Sequence, residues 1–333
     1  MISSEKPGKN NHKDWWADKT KKLLEDQKKS WELLRENYKN LSKTETKIFG
    51  FDNFEVKVQC NPERIKSTGA DVSRDALNLR PCFLCGENLP AEQDGLLYNK
   101  KYLILANPYP IFDEHFTITK TKHSPQTIIG NFEDMLDLSE ELGRDYSLFY
   151  NGPKCGASAP DHMHFQAAQK NIIPVEYEAD TVKEKLSTQT FGTPKIKLFF
   201  IENFLRCVMI LESSNKGELL YGFKILINAL KKISLPKEEP MLNIISTYND
   251  QLRRVFIFPR SLHRPKQFFE NGEKKILVSP AAVDMGGLII LPREEDFNKI
   301  NPNDIIDIYR QVSVTKEFWE YLKKKIGDVY EKK

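Results

Sequence analysis

Residues 162–166 of this chain read His-Met-His-Phe-Gln. Side chains on an extended strand alternate between faces, so His162, His164 and Gln166 share one side and Met163 and Phe165 the other. Two imidazoles and an amide in a row, backed by apolar residues, require a strand with one face in a core and the other lining something polar. Directly upstream, Asn151-Gly152-Pro153-Lys154-Cys155-Gly156-Ala157-Ser158-Ala159-Pro160-Asp161 forms a loop of small residues. Its glycines let backbone N–H groups approach a phosphate closely. Such a loop running into a histidine strand points to attack on phosphorus by imidazole.

The rest of the composition narrows the setting. Among 333 residues, Lys plus Arg total 50 and Asp plus Glu 47, a formal charge of +3. That balance argues against nucleic acid as a partner. No apolar run reaches membrane-spanning length, and the N-terminus has no apolar signal region. Five cysteines, an odd number with Cys82 and Cys85 as CxxC, fit a reduced compartment and a metal site better than a disulfide framework. The expected location is cytoplasmic.

Residues 1–13 read as disordered. An apolar stripe through Trp16, Leu23, Leu24, Trp31, Leu34, Tyr38 and Leu41 predicts one amphipathic helix from about Trp15 to Leu41. Asn53–Cys60 alternates like a strand. Strands are then expected at Tyr102–Ala106, His115–Thr119, Tyr146–Tyr150 and His162–Ala168. A helix among them begins after Ser124-Pro125 and ends near Leu142-Gly143. A second β-rich stretch has strand candidates at Lys197–Ile201, Leu205–Leu211, Leu242–Thr247, Arg254–Phe258 and Gly287–Leu291, with helices at Glu218–Ile233 and Asn303–Ile326. The run beginning at His115 resembles the run beginning at Gly287, and only the first half carries paired histidines. A duplicated fold with one active copy is the economical reading; independent domains are the alternative. The corresponding division is 1–49 (tail and helix), 50–185 (catalytic half) and 186–333 (second, non-catalytic half).

Cys82 and Cys85 have the spacing of zinc ligands. Their alternative is a pair of buried cysteines. His123 and His162 can complete a Cys₂His₂ tetrahedron, which would make the zinc structural and pin one end of the histidine strand beside His164. His115 competes with His123 for the fourth place, its alternative being a hydrogen-bonded strand histidine. His12 and His263 have no metal context.

The span Asn151–Gln166, with Asn-Gly-Pro, Gly-Ala-Ser and His-x-His-x-Gln in order, resembles the histidine triad superfamily in its nucleotidyltransferase branch. That branch contains galactose-1-phosphate uridylyltransferases, diadenosine tetraphosphate phosphorylases and GDP-hexose phosphorylases. Phe256-Ile-Phe-Pro-Arg260 and Val278-Ser-Pro-Ala-Ala-Val-Asp-Met-Gly-Gly287 look most like the GDP-hexose phosphorylases, with Ser279 where that family more often has asparagine. The CxxC with its histidines is instead similar to uridylyltransferases.

The resemblance implies an α+β fold of duplicated histidine-triad-like halves, each an antiparallel sheet flanked by helices. It implies that His164 is the nucleophile and forms a nucleotidyl-histidine. Gln166 would donate its amide to a phosphoryl oxygen, and Ser158 with the Gly156–Ser158 amides would hold the same oxygens. Asn151 would anchor a ribose or phosphate, and Asn107 opens a segment resembling the nucleoside-contacting one. Arg260, Arg264 and Lys266 form a basic cluster suited to a free phosphate, or else a solvated basic loop. The expected reaction is phosphorolysis of a nucleoside diphosphate hexose, giving a nucleoside diphosphate and hexose 1-phosphate. The alternatives are a hexose-1-phosphate uridylyltransferase, a dinucleoside polyphosphate phosphorylase, and, in another class, a non-catalytic nucleotide-binding zinc protein. Expected partners are a nucleotide sugar with inorganic phosphate or hexose 1-phosphate, with no membrane and a homodimer as a candidate assembly.

Overall fold

The computed structural model describes residues 2–3, 14–69, 71–233 and 238–331. Among them run fourteen strands: β1 (Ile2–Ser3), β2 (Glu45–Phe51), β3 (Phe54–Cys60), β4 (Gly95–Tyr98), β5 (Tyr102–Ala106), β6 (His115–Lys120), β7 (Tyr146–Asn151), β8 (His164–Gln169), β9 (Ser187–Thr193), β10 (Ile196–Ile201), β11 (Val208–Ser213), β12 (Leu242–Asn249), β13 (Leu252–Pro259) and β14 (Leu288–Leu291). Eleven of them form one sheet in the order β1-β4-β5-β6-β8-β7-β12-β13-β11-β10-β9, and β14-β3-β2 form a second, smaller sheet.

The strand order shows the duplication. From its outer edge inward the first half runs β4-β5-β6-β8-β7, and the second runs β9-β10-β11-β13-β12. In each half the third strand is followed by a helix, Phe132–Glu141 in one and Lys216–Leu230 in the other. The two helices lie on the same face, where the Phe132 and Phe223 rings stack 3.7 Å apart. The halves fuse where Leu148–Asn151 pairs antiparallel with Asn243–Ser246. An α+β fold of duplicated antiparallel halves is therefore what the chain adopts.

Packing explains which face carries the polar side chains of β8. Phe165, Ala167, Val255 and Ile257 point into the helix-side core. On the opposite face a second core, holding Phe149, Ala168, Phe256 and Phe258, is closed by Val56, Val58, Ile289 and Leu291 of the small sheet. On that opposite face β8 carries His164 and Gln166, whereas its counterpart β13 carries Phe256 and Phe258. The second copy has exchanged polar groups for core.

The structure corrects several sequence expectations. The counterpart of β6 is β11, not the run after Gly287: Leu288–Leu291 pairs parallel with Lys57–Cys60 in the small sheet. Similar apolar content does not carry register. The same pairing draws residues 45–60 to the C-terminal half, and a single sheet crosses residue 186, so the halves are not independent. The predicted N-terminal helix is two, Trp15–Ser30 and Glu32–Leu41, broken where Trp31 turns extended (φ −116°, ψ 105°) and is buried. The helix expected after Ser124-Pro125 begins only at Phe132, because the carbonyl of Ser124 accepts from Met163 N–H and Gln126 N–H donates to Pro160. The last helix is also split, into Pro302–Val312 and Lys316–Tyr330, with Ser313 between them bridging to Arg260. Of the tail read as disordered, Ile2–Ser3 pairs with Gly95–Leu96, and residues 1 and 4–13 lie outside the described residues. No helix among the described residues is long and apolar enough to cross a membrane.

Arg260 is fully buried at the end of β13. Its five N–H donors are all engaged, with the Val312, Pro280, Leu262 and His263 carbonyls and the Asn243 Oδ1. Arg260→Ala should cost on the order of 3–4 kcal/mol in urea unfolding, because several buried acceptors lose their partners at once. A loss below about 1 kcal/mol would show that these bonds do not hold the second half together.

Candidate active site

β8 begins at His164, not at His162. His162 sits in a turn whose N–H donates to the Ala159 carbonyl at 3.2 Å. That turn sends the two imidazoles to different places. His164 is 4% exposed, and its Nδ1 lies 2.7 Å from the His162 carbonyl. A carbonyl only accepts, so Nδ1 carries the proton and Nε2 keeps its lone pair. Burial pushes the His164 pKa down to about 4, which leaves the ring neutral near pH 7. Gln126, which sequence reasoning missed, clamps this point from the neighbouring segment. Its Oε1 accepts from the His164 N–H, and its Nε2 donates to the carbonyls of His164 and Asn151.

Gln166 is oriented by His115, which is buried on the adjacent strand β6. The Ile111 N–H donates to His115 Nδ1 at 3.3 Å, so the ring proton sits on Nε2, 2.8 Å from Gln166 Oε1. With its oxygen taken, Gln166 turns its NH₂ group elsewhere, as a neutral donor. Desolvation and then the charge of Arg64 depress the His115 pKa to about 3. Both ring nitrogens are committed, so His115 does not compete for a metal.

Cys82, Cys85, His123 and His162 do converge. Their ligand atoms all lie within 4.8 Å of one another. Cys82 Sγ is 3.2 Å from His162 Nδ1, and Cys85 Sγ is 3.2 Å from His123 Nδ1. A tetrahedron with metal–ligand bonds of about 2.0–2.3 Å has edges of roughly 3.5 Å, so the cluster has the dimensions of a metal site. His162 Nε2 lies 2.7 Å from the Lys120 carbonyl, the outer contact that orients a ligating imidazole.

His164, Gln166, Ser158 and Asn107 line a cavity of about 470 Å³ whose walls include Trp31, Leu33, Phe83, Leu84, Leu89 and Leu105. Asn107 Oδ1 accepts from the Tyr109 N–H and its Nδ2 donates to Thr117, which rigidifies the cavity wall. Beyond Gln166 a small cleft of about 50 Å³ is lined by Asn151, Gly156, Ser279 and Asp284 among others. Gly156 has φ +89°, and a Cβ there would stand 2.6 Å from that of Ala281, so the loop can press on the second half only with glycine. Asn151 Oδ1 accepts from Asn243 Nδ2 and the Ala282 N–H, which makes it a tether between the halves.

The predicted basic cluster is only partly at the site. Arg260 has no donor left for phosphate, and Lys266 is exposed and paired with Asp307. Both are corrections to the phosphate-binding expectation, because the chain turns after β13 and points these side chains elsewhere. Lys154 pairs with Glu238 on the surface. Arg264 donates to Ser279 at the cleft. The basic group that sequence reasoning missed is Arg64, on the short turn after β3, which lines both cavity and cleft. No local motif marks it, because β3 reaches the site only through the small sheet.

Residues 23–169 match a family model described as a domain of unknown function (DUF4922), and residues 183–333 match one described as a GDPGP1-like C-terminal domain. No curated protein matches the chain in sequence. Among solved structures, yeast Ap4A phosphorylase Apa2 is similar at 15% identity and TM-score 0.59, over 85% of this chain and 96% of that one. Its complex with AMP aligns at 14% identity and TM-score 0.60, over 88% and 96%. A uridylyltransferase mutant aligns at 13% identity and TM-score 0.42, over 76% and 94%. The α+β fold implied by that resemblance is the fold of the yeast Ap4A phosphorylase, and the C-terminal half matches a GDPGP1-like domain.

A depressed pKa means that acid favours the unfolded chain. The stability tied to His115 is complete above about pH 6.5 and is lost as pH falls towards 3. His115→Gln keeps a donor towards Gln166 without a titrating ring. Urea unfolding between pH 6.5 and 3 should show a shallower fall for His115→Gln than for wild type, by an amount on the order of 2 kcal/mol. Parallel curves would mean that His115 titrates normally.

Proposed function

For a chain with the fold of Ap4A phosphorylase and a GDPGP1-like C-terminal domain, we propose nucleotidyl transfer to phosphate through a covalent histidine, with a nucleoside diphosphate hexose as donor. The observation that carries this reading is the neutral His164, with its proton fixed on Nδ1 and its Nε2 free, beside a glycine-serine loop in a cavity of nucleoside size. A binding protein needs no such tautomer lock.

In the first step Nε2 of His164 attacks the α-phosphorus. The N–P bond forms, the P–O bond to the β-phosphate breaks, and hexose 1-phosphate departs. The imidazolium that results keeps its Nδ1–H bond to the His162 carbonyl, which disperses the positive charge. The Gln166 NH₂ group, the Ser158 hydroxyl and the loop amides donate to the α-phosphoryl oxygens, where charge builds in the transition state. In the second step an oxygen of inorganic phosphate attacks the same phosphorus, the N–P bond breaks, and a nucleoside diphosphate leaves. Both steps balance without a redox partner.

Guanine is the favoured base. Its N1–H and N2–H₂ edge offers two adjacent donors that one carboxylate accepts together, which neither uracil nor adenine provides. Glu63 and Asp71 both line the large cavity. The fold match to Ap4A phosphorylase supports a second reading, phosphorolysis of a dinucleoside polyphosphate. A panel of GDP-, UDP- and ADP-hexoses and Ap4A, each with and without phosphate, separates the two.

The Cys₂His₂ cluster fits zinc in a structural role, since all four positions are filled by protein. Bound there, zinc would pin the turn at His162 whose carbonyl orients His164. All five cysteines are unpaired, which supports placing the protein in the reducing cytoplasm. Cys82→Ser should lower zinc content and melting temperature together, as elemental analysis and calorimetry on the same preparation would show. A zinc-free, fully stable wild type purified without chelator contradicts the assignment.

His164→Ala should abolish turnover, at least 1,000-fold, with unfolding free energy changed little. Wild type mixed with a GDP-hexose in the absence of phosphate should gain the mass of a guanylyl group in an acid-labile, base-stable bond. Inversion at the α-phosphorus over the whole reaction would instead indicate direct attack by phosphate, because two displacements give retention.

A further inference from the structure

Two spaces meet at this site. The 470 Å³ cavity is largely apolar-walled and holds His164, whereas the 50 Å³ cleft does not include it. Three residues line both: Arg64, Ser158 and Gln166. The far wall of the cleft comes from the second half of the chain, through Ser279, Ala281 and Asp284.

We propose that the cleft is a phosphate subsite, built by Arg64, Ser158 and Ser279, that holds the leaving phosphate in the first displacement and the entering inorganic phosphate in the second. The inference rests on the nucleotidyl-histidine reading for its place in the reaction. Displacement at phosphorus is in line, so the leaving group departs on the side away from His164. The entering phosphate must then arrive by that same side. With the nucleoside in the large apolar-walled cavity and the α-phosphorus at the shared wall, the cleft is the space that remains. Its volume is a few times that of one water, on a scale where a single water takes about 10–15 Å³, which suits a tetrahedral oxyanion.

The charges agree. Burial lowers the Arg64 pKa to about 10, which still leaves the guanidinium charged near pH 7. Its Nη1 donates to the Tyr109 carbonyl at 3.0 Å, which anchors the side chain. Arg264 Nε donates to Ser279 Oγ at 3.1 Å, so the serine hydroxyl passes the influence of a second cation to the cleft. The carboxylate of Asp284 is turned to the backbone: its oxygens accept from the Ala281 and Ile290 N–H groups at 2.8 and 3.0 Å, which offset part of its charge.

The test uses the full chain in two measurements. Calorimetric titration with inorganic phosphate alone should show one saturable site, weakened at least 10-fold in Arg64→Met and several-fold in Ser279→Ala, with Arg64→Lys between wild type and Arg64→Met. The second follows discharge of preformed guanylyl-enzyme by phosphate. The half-saturating phosphate concentration should rise at least 10-fold in Arg64→Met, while formation of the adduct at saturating sugar nucleotide changes less. Phosphate binding that is absent from wild type, or unchanged in Arg64→Met and Ser279→Ala, overturns the subsite. An adduct that all the variants discharge with the same phosphate dependence also overturns it, while the covalent mechanism stands. Arg64-dependent phosphate binding in a wild type that never forms an adduct supports the subsite and removes the covalent mechanism. Should Arg64→Met not fold, Arg64→Lys and Ser279→Ala carry the comparison.

Discussion

The arrangement depends on a buried polar junction between the two halves. Asn243 Nδ2 donates to Asn151 Oδ1 and to the Cys155 carbonyl, while its own Oδ1 accepts from Arg260. Asn151 Oδ1 takes a second bond from the Ala282 N–H. Buried amides are stable only when their hydrogen bonds are made, and here each half satisfies the other. The glycine loop is thereby pressed against Ala281, and the strand pair β7–β12 continues the sheet through the same point. A half freed of its partner would leave these groups unsatisfied at the centre of its site.

That junction gives the second copy a function despite its missing histidines. Where β8 carries His164 and Gln166, β13 carries Phe256 and Phe258, and the latter pack beneath the small sheet. The same small sheet positions the short turn after β3 that carries Arg64. The duplicated half forms a wall and a clamp, and the small cleft lies between unequal copies.

Burial also sets the chemistry. A solvated imidazole near its ordinary pKa of about 6.5 would be partly protonated at neutral pH. His115 and His164 are both held neutral by desolvation, and each has its tautomer decided by a backbone group, the Ile111 N–H for one and the His162 carbonyl for the other. The backbone thus makes one ring a fixed donor to Gln166 and leaves the other with a free lone pair. The Cys₂His₂ cluster includes His162, two residues before His164, so the turn whose carbonyl holds His164 Nδ1 also packs against Cys82 and Cys85.

Alternation alone put Phe165 in the core with His164 and Gln166 facing away, and CxxC with two histidines was enough to foresee that Cys82, Cys85, His123 and His162 converge. These are local facts: a two-residue period and the short reach of ligand side chains leave few arrangements. Sequence could not place what depends on distant pairing. Arg260 and Arg64 are both basic residues near strand ends. Only the packing shows that one spends all five donors on buried acceptors while the other reaches the cavity. The correspondence of β6 with β11, the partnership of β3 with β14 and the role of Gln126 share that origin. Local sequence determined which polar groups share a strand face and which side chains offer ligand atoms, because side-chain type and strand period are properties of neighbours in the chain. Tertiary structure decided which groups face one another, because backbone pairing between residues far apart sets register, burial and the direction of every donor.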